Sequence, residues 1–295
     1  MRKKVIIPCI TPFRDGTIDA EAVQALVDFA EISGYSGLFF GGSTGGFASL
    51  SLEQHKEILR IGIDSDHGNI ELFAGVTRSS LPETIELVNF AEKLGYENLV
   101  SITPFYHKYT NGSIIRFYEE ILKTTGSRFF LYNNPPLSGN VLTPEIAQNL
   151  KDRYPNVAGI KDSGADLGRF AEFLKVKGLE VYQGKDDLLL ESLRMGASGG
   201  VCSSANFCSN TAIIKEMDAR AEAVSRKTGR VIELIRKYET PSIHNFLFRR
   251  IILGEDTPRG YINAPFSPLN NGEVIEEFRP YLELPDSLPM RKSSR

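Results

Sequence analysis

Cysteine is scarce: Cys9, Cys202 and Cys208 are the only three in 295 residues. The number is odd and none stands in CxxC spacing, which argues against a disulfide framework and a structural zinc site. The expected compartment is therefore reducing and cytoplasmic, with Cys9 and Cys202 as small buried hydrophobes in apolar runs. No apolar run approaches the roughly 18 residues of a membrane span, and the stretch after Met1 is too short for a signal peptide. A basic stripe is missing too. The net charge is −3, so no nucleic-acid partner is expected, and Arg2-Lys3-Lys4 and Arg291-Lys292 read as solvated termini. His55, His67, His107 and His244 are scattered, none pairs with acids at metal-ligand spacing, and no metal site is expected. The turn after the first apolar run is Thr11-Pro12-Phe13, not the GxGxxG of a dinucleotide fold.

What is present is a repeated alternation of short apolar runs with amphipathic stretches. The runs are Val5–Ile10, Gly37–Phe40, Glu71–Gly75, Asn98–Ile102, Arg128–Tyr132, Val157–Lys161, Leu179–Gln183 and Gly199–Cys202. Short runs rich in Val, Ile, Leu and Phe read as buried parallel strands. Between them, helices are predicted over Asp19–Ser33, His55–Ile63, Pro82–Leu94, Ser113–Lys123, Pro144–Asp152, Leu167–Leu174 and Asp187–Met195. Asp19 is a candidate N-cap, Ser51 with Gln54 a candidate capping box, and Gly34, Gly95 and Gly196 candidate stops. Eight βα alternations predict a (βα)8 TIM barrel in preference to an open sheet. After about Asn210 the strands cease: Thr211–Asp218, Ala219–Tyr238, Ile243–Leu253 and Glu273–Leu282 read as helical. The expected organisation is a barrel over residues 1–218 with an all-helical C-terminal extension over residues 219–295.

Chemistry in a TIM barrel sits at the C-terminal ends of its strands. Lys161 ends the sixth run. Burying an ammonium there is costly and favours the neutral amine, which can attack a ketone and form an imine. The bland alternative is an exposed lysine paired with Asp162. Tyr132 ends the neighbouring run, where a phenol could carry protons; its bland alternative is an aromatic cap on the barrel mouth. The loop Gly41-Gly42-Ser43-Thr44-Gly45-Gly46 combines tight backbone with two hydroxyls, an anion cradle without the P-loop lysine, suited to a carboxylate. Gly184, Asp186, Asp187 and Ser203, at the ends of the last two runs, are candidates for binding a polyol; Asp187 could instead cap the following helix.

The ordered set ITPF, GGSTGG, TPFY, YNNP, GIKD and YQGKDD resembles the N-acetylneuraminate lyase and dihydrodipicolinate synthase superfamily across essentially the whole chain. That resemblance implies a TIM barrel with a helical extension, a homotetramer, and a lysine imine with pyruvate or another 2-keto acid, without metal or organic cofactor. It implies Lys161 as the Schiff-base lysine and Tyr132 as the acid/base phenol. Ser43 and Thr44 become the holders of the keto-acid carboxylate, and Tyr106 a second tyrosine that in some members reaches a neighbouring subunit's site. Departures narrow the choice. Synthases of the superfamily carry an arginine shortly after YNxP; here Pro136-Leu137-Ser138-Gly139 follows, a stretch similar to that of the sialic acid lyases. Gly46 stands where the family loop often has glutamate, and Phe47-Ala48-Ser49-Leu50-Ser51 resembles archaeal 2-keto-3-deoxygluconate aldolases. Some of those accept a phosphorylated substrate through an arginine after the TPYY-like motif, where this chain has His107-Lys108-Tyr109. The expectation is an aldolase that cleaves non-phosphorylated 2-keto-3-deoxygluconate to pyruvate and glyceraldehyde. The alternatives are an N-acetylneuraminate lyase, a synthase-like enzyme, or a non-catalytic keto-acid sensor.

Overall fold

In the computed structural model, which describes residues 3–255, 260–269 and 273–282, the eight apolar runs become eight parallel strands joined into a closed ring. They are β1 (Lys4–Pro8), β2 (Gly37–Phe40), β3 (Glu71–Gly75), β4 (Asn98–Ile102), β5 (Arg128–Asn133), β6 (Val157–Asp162), β7 (Glu180–Gln183) and β8 (Gly199–Val201). Closure comes from β8 lying beside β1, with Lys4 opposite Gly199 and Ile6 opposite Val201. This is a TIM barrel, as predicted.

Strand alternation divides the core in two. Val5, Ile7, Leu38, Phe40, Leu72 and Leu99 face outward into the layer between strands and helices. Ile6, Phe39, Phe73, Val100, Phe130, Tyr132 and Tyr182 face inward and fill the barrel. Such a stack of large side chains makes the interior a packed core with a floor, and leaves room only at the mouth.

The helices of the shell are α1 (Ala20–Ile32), α2 (Leu52–Asp64), α3 (Leu81–Leu94), α4 (Asn111–Leu122), α5 (Pro144–Arg153), α6 (Leu167–Leu174) and α7 (Leu189–Met195). Their ends follow the expected chemistry. Asp19 accepts from the Ala22 N–H, and Ser51 and Gln54 form the reciprocal capping box at 3.0 and 3.1 Å. Gly95 and Gly196 close α3 and α7 in the left-handed conformation.

Several details depart from the expectation. Phe13–Arg14 and Thr17–Ile18 form a small antiparallel hairpin ahead of α1. A one-turn helix, Pro135–Ser138, follows β5. The stretch predicted as helix from Thr211 is a 3-10 turn, Thr211–Glu216, stopped by Met217 at φ +57°. The last predicted helix is shorter, Val274–Phe278, and Pro280 keeps the next turn 3-10.

The C-terminal helices are α8 (Ala219–Ile235), α9 (Ser242–Ile251) and α10 (Val274–Phe278). α8 belongs to both parts: Ala221 and Val224 pack into the barrel shell, while Val231, Ile232 and Ile235 join a second cluster with Phe246, Leu247 and Phe278. Thus the predicted division after residue 218 precedes a helix whose first half packs with the barrel. Arg249 on α9, only 2% exposed, pins the extension down. It donates to the Phe13 carbonyl at 2.7 Å, Asp19 at 2.8 Å and Glu255 at 2.6 Å. Burial pushes the Asp19 carboxyl up, but bonds from Arg249, the Ala22 N–H and Arg14 outweigh it and hold it below the usual range. Among the described residues no helix is long and apolar enough to cross a membrane.

Candidate active site

The barrel mouth holds a cavity of about 510 Å³, within the range of small-molecule sites. Lys161 lies at its base. The side chain is 6% exposed. Its Nζ sits 4.2 Å from the centre of the Tyr132 ring and 5.2 Å from that of Phe39. Below it Ile6, Phe73, Val100, Phe130 and Val201 offer no polar partner. The lysine therefore stands between a dry floor and an open mouth.

How it comes to point inward is a matter of register. Counting by twos from the outward-facing Val157 would turn Lys161 outward too. The pairing between β5 and β6 is irregular there: Phe129 is opposite Val157 but Phe130 is opposite Gly159. Ala158 is the extra residue of a β-bulge, and it inverts the alternation for the rest of the strand. Ile160 then faces the outer core, and Lys161 faces in, directly across from Tyr132 on β5 and Tyr182 on β7. Gly159 makes the pinch possible: a Cβ there would lie 2.5 Å from the Glu180 carbonyl oxygen and 2.7 Å from the Phe130 ring.

The pairing of Lys161 with Asp162 does not form. Asp162 points to the other side, where it accepts from Asn133 Nδ2 at 2.7 Å and the Gly164 N–H at 3.1 Å. Burial raises its carboxyl above the usual range despite these bonds. Among the described residues no carboxylate lies within 4.0 Å of the Lys161 amine.

The Tyr132 hydroxyl accepts from Asn134 Nδ2 at 2.8 Å and lies 3.5 Å from Ser43 Oγ. Burial pushes this phenol up. The Lys161 charge and hydrogen bonds from Ser43, Asn134 and Ser163 outweigh that, and it settles below the ordinary tyrosine value. The geometry thus offers an amine and an acidified phenol on adjacent strand ends.

Ser43 and Thr44 stand on the turn after β2, which is closed by Gly45 N–H to Gly42 O at 3.1 Å and Gly46 N–H to Ser43 O at 3.0 Å. Among the described residues the amides of Ser43 and Thr44 donate to no carbonyl, the condition for an anion cradle. Both residues line the cavity.

Gly184, Asp186 and Ser203 line it as well, but two of them have structural employment. Gly184 is packed so tightly that a Cβ would lie 2.0 Å from Ser163 Oγ. Both Asp186 oxygens are taken by backbone amides, from Ser203 at 3.0 Å and Ser204 at 2.8 Å, and burial lifts its carboxyl despite them. Asp186 ties down the chain after β8. Its neighbour Asp187 makes no cap bond. It accepts from Arg236, the C-cap of α8, at 2.6 Å through Oδ2, and among the described residues its Oδ1 has no partner.

Tyr106 is not brought to the cavity. Its ring is 90% exposed, and a left-handed backbone at φ +76° turns it outward beside His107. Cys202 and Cys9 lie just past β8 and β1, fully buried, and burial pushes both thiols well up. Among the described residues no group of three or more His, Cys, Asp or Glu could hold a metal.

Residues the sequence reading missed are Asn134, Ser163 and the part of the wall supplied by α8 and α9. Asn134 lies inside the quoted YNNP motif, and Ser163 is two residues past Lys161, on the same face. No local signal pointed to His244 of α9. It lines the cavity, both its ring nitrogens lack partners among the described residues, and burial pushes its imidazole down to about 4.

Residues 1–273 match the dihydrodipicolinate synthetase family. A Picrophilus torridus 2-dehydro-3-deoxy-D-gluconate/2-dehydro-3-deoxy-phosphogluconate aldolase is 35% identical over 243 residues, 80% of this chain and 90% of that protein. A Persephonella marina 4-hydroxy-tetrahydrodipicolinate synthase is 33% identical over 208 residues, 70% of this chain and 71% of that one. Among solved structures, that of YagE from Escherichia coli K12 in complex with pyruvate superposes with a TM-score of 0.86 at 28% identity, covering 94% of this chain and 96% of that one.

Proposed function

This chain belongs to the dihydrodipicolinate synthetase family, and from that premise we propose that it is a Schiff-base aldolase cleaving 2-keto-3-deoxygluconate reversibly to pyruvate and glyceraldehyde. The observation that carries the reading is the Lys161 amine, buried at the base of the cavity, with no carboxylate partner among the described residues, against the face of Tyr132.

The substrate carboxylate occupies the turn bearing Ser43 and Thr44. The Lys161 amine adds to the C2 carbonyl; the Tyr132 hydroxyl gives the proton with which water leaves, and an iminium beside a Tyr132 phenolate results. The C3–C4 bond then breaks and its electron pair moves to the iminium, giving an enamine. The Tyr132 phenolate takes the C4 hydroxyl proton as the C4 carbonyl forms, and glyceraldehyde departs. The Tyr132 hydroxyl passes that proton on to C3 of the enamine, and hydrolysis of the resulting iminium releases pyruvate, restores the amine and returns a proton to the Tyr132 phenolate. Because the iminium is the electron sink, the chemistry calls for no metal or organic cofactor. Tyr132's lowered pKa suits a group that must be deprotonated at the moment of cleavage.

The tail of the substrate extends toward Gly184, Asp186, Asp187 and Ser203. Asp187 with its free Oδ1 is better placed than Asp186 to accept from a hydroxyl. A neutral tail is favoured over a phosphate because no arginine follows Tyr106 and Arg236 is already paired with Asp187. Pro136-Leu137-Ser138-Gly139 offers no cation for the second carboxylate that a synthase handles. Tyr106 can serve a cavity only across an interface, in keeping with a homotetramer in which its phenol enters a neighbour's site.

Borohydride reduction with pyruvate tests the imine. The expected product is a pyruvyl adduct on Lys161, absent from Lys161→Ala. A reduced protein of unchanged mass would end the proposal. A panel of gluconate-derived keto acids, their phosphates and N-acetylneuraminate, read by pyruvate release, then tests the substrate.

A further inference from the structure

His55 on α2 reaches back beneath the turn that carries Ser43 and Thr44. It is fully buried, and its Nε2 donates to the Gly75 carbonyl at the end of β3 at 2.9 Å. Burial, and then the nearby charge of Arg78, pushes its imidazole down to about 3, so the ring is neutral with its proton on Nε2. Gly41, at φ +71°, lies directly against it: a Cβ there would sit 2.4 Å from His55 Nε2. A Cβ on Gly75 would in turn meet the Gly41 carbonyl oxygen at 2.2 Å. The ends of β2 and β3 and the imidazole thus interlock with no space for a side chain. From above, the Phe47 ring lies on His55 with centroids 6.2 Å apart, and Phe47 lines the cavity. From the side, Arg78 donates to the carbonyls of Phe47 at 3.3 Å and Leu50 at 2.9 Å. The carboxylate turn is thus held from three directions, and His55 supplies two of them, through the Gly41–Gly75 interlock and through the Phe47 ring.

We propose that His55 is a positioning residue: by bridging α2 to the Gly75 carbonyl it fixes the path of residues 41–47, and with it the affinity of the Ser43–Thr44 turn for a 2-keto acid. This rests on the reading of that turn as the carboxylate holder. His55 touches no substrate and moves no proton. Its loss should weaken keto-acid binding while leaving the imine chemistry of a saturated site intact. Losing one buried hydrogen bond and the geometry it sets corresponds to about a tenfold change in an equilibrium constant.

The experiment is borohydride trapping of the full-length protein at graded pyruvate concentrations, with adduct on Lys161 quantified by mass spectrometry. His55→Leu is expected to raise the half-saturating pyruvate concentration about tenfold and to reach the wild-type extent of labelling at saturation. His55→Gln, which can present an amide N–H at a similar reach, should recover most of that loss. If His55→Leu does not fold, Arg78→Met carries the test from the other side of the turn, with the same expected rise. Half-saturation unchanged from wild type in the folded variant overturns the inference, as does equal weakening in the Gln variant. Wild-type protein that never labels overturns the imine reading instead, and this inference with it.

Discussion

At the residue scale the decisive contrast is between two neighbours on one strand. Lys161 and Asp162 look like an ion pair on paper, yet a pleated strand sends consecutive side chains to opposite faces. Asp162 is consumed by Asn133 and Gly164, and Lys161 is left with aromatic faces. Tyr132→Phe is the sharpest test of what surrounds the lysine. It removes the hydroxyl that Asn134 and Ser43 address and keeps the ring against the amine. Retro-aldol turnover is expected to fall about 10²–10⁴-fold, the usual contribution of one positioned acid/base. Thermal stability should change little. A variant with turnover within a few-fold of wild type removes Tyr132 from the reaction. The residues of this site were legible in the sequence wherever a strand end and a motif coincided, as at Lys161, Tyr132, Ser43 and Thr44. Asp186 was legible only as a polar residue near the mouth. That both its oxygens would be claimed by amides of the next loop is a tertiary fact, seventeen residues away in sequence, with no local trace. Tyr106 is the converse: its motif is clear, but a left-handed backbone turns its ring away from the cavity.

At the scale of elements, the strands were legible almost to the residue because parallel strands buried on both faces read as unbroken apolar runs. Short elements were not: the Phe13–Ile18 hairpin and the Pro135–Ser138 turn are too brief to show periodicity. The bulge in β6 was hidden as well. Val157-Ala158-Gly159-Ile160-Lys161 carries no sign of where alternation breaks, since Ala and Gly fit either face; only pairing with β5 reveals it. The functional direction of the lysine thus depends on an element-level irregularity and on the glycine that permits it. Gly159→Ala introduces a Cβ against the backbone of Glu180 and the Phe130 ring, neither of which can yield without shifting a strand. Overpacking of this kind costs about 1–3 kcal/mol. Because the strain falls two residues before Lys161, adduct formation with pyruvate should drop more than the melting temperature alone accounts for. Gly229→Ala, within α8 and with nothing within 4 Å of its added Cβ, is the matched control. Equal labelling by the two variants under folding conditions would show that the bulge does not aim the lysine.

For the whole molecule, βα alternation favoured a closed ring over an open sheet but carried no direct sign of closure, which is a single pairing between the first strand and the last. Nor could it show how the extension docks, which depends on the buried Arg249 and its three acceptors. That docking also encloses the imidazole of His244, which has no hydrogen-bond partner among the described residues, and with His55 it gives the fold a dependence on pH whose sign can be worked out. His244 and His55 have pKa values near 4 and near 3 in the folded protein, both lowered by burial, His55 further by Arg78. In the unfolded chain both titrate near the ordinary value of about 6.5. Below that value the unfolded state binds protons that the folded state refuses, so stability is fully present above about 6.5 and falls as the pH drops toward 4. Each group contributes a slope of about 1.4 kcal/mol per pH unit in that window. Asp162 and Asp186, whose folded carboxyls are raised by burial, act in the opposite sense. They bind protons more readily folded than unfolded, and so offset part of the fall. The melting temperature should therefore decline by several degrees between pH 6.5 and 5, in the range where surface carboxylates are still ionised. His244→Phe replaces the imidazole with a ring of similar shape beside Phe207, 6.1 Å away, and removes the titration. Its melting temperature at pH 5 should exceed that of the wild type, and its decline from pH 6.5 should be about half as steep. Parallel curves for the two proteins would mean that the buried imidazole of α9 is not what acid attacks.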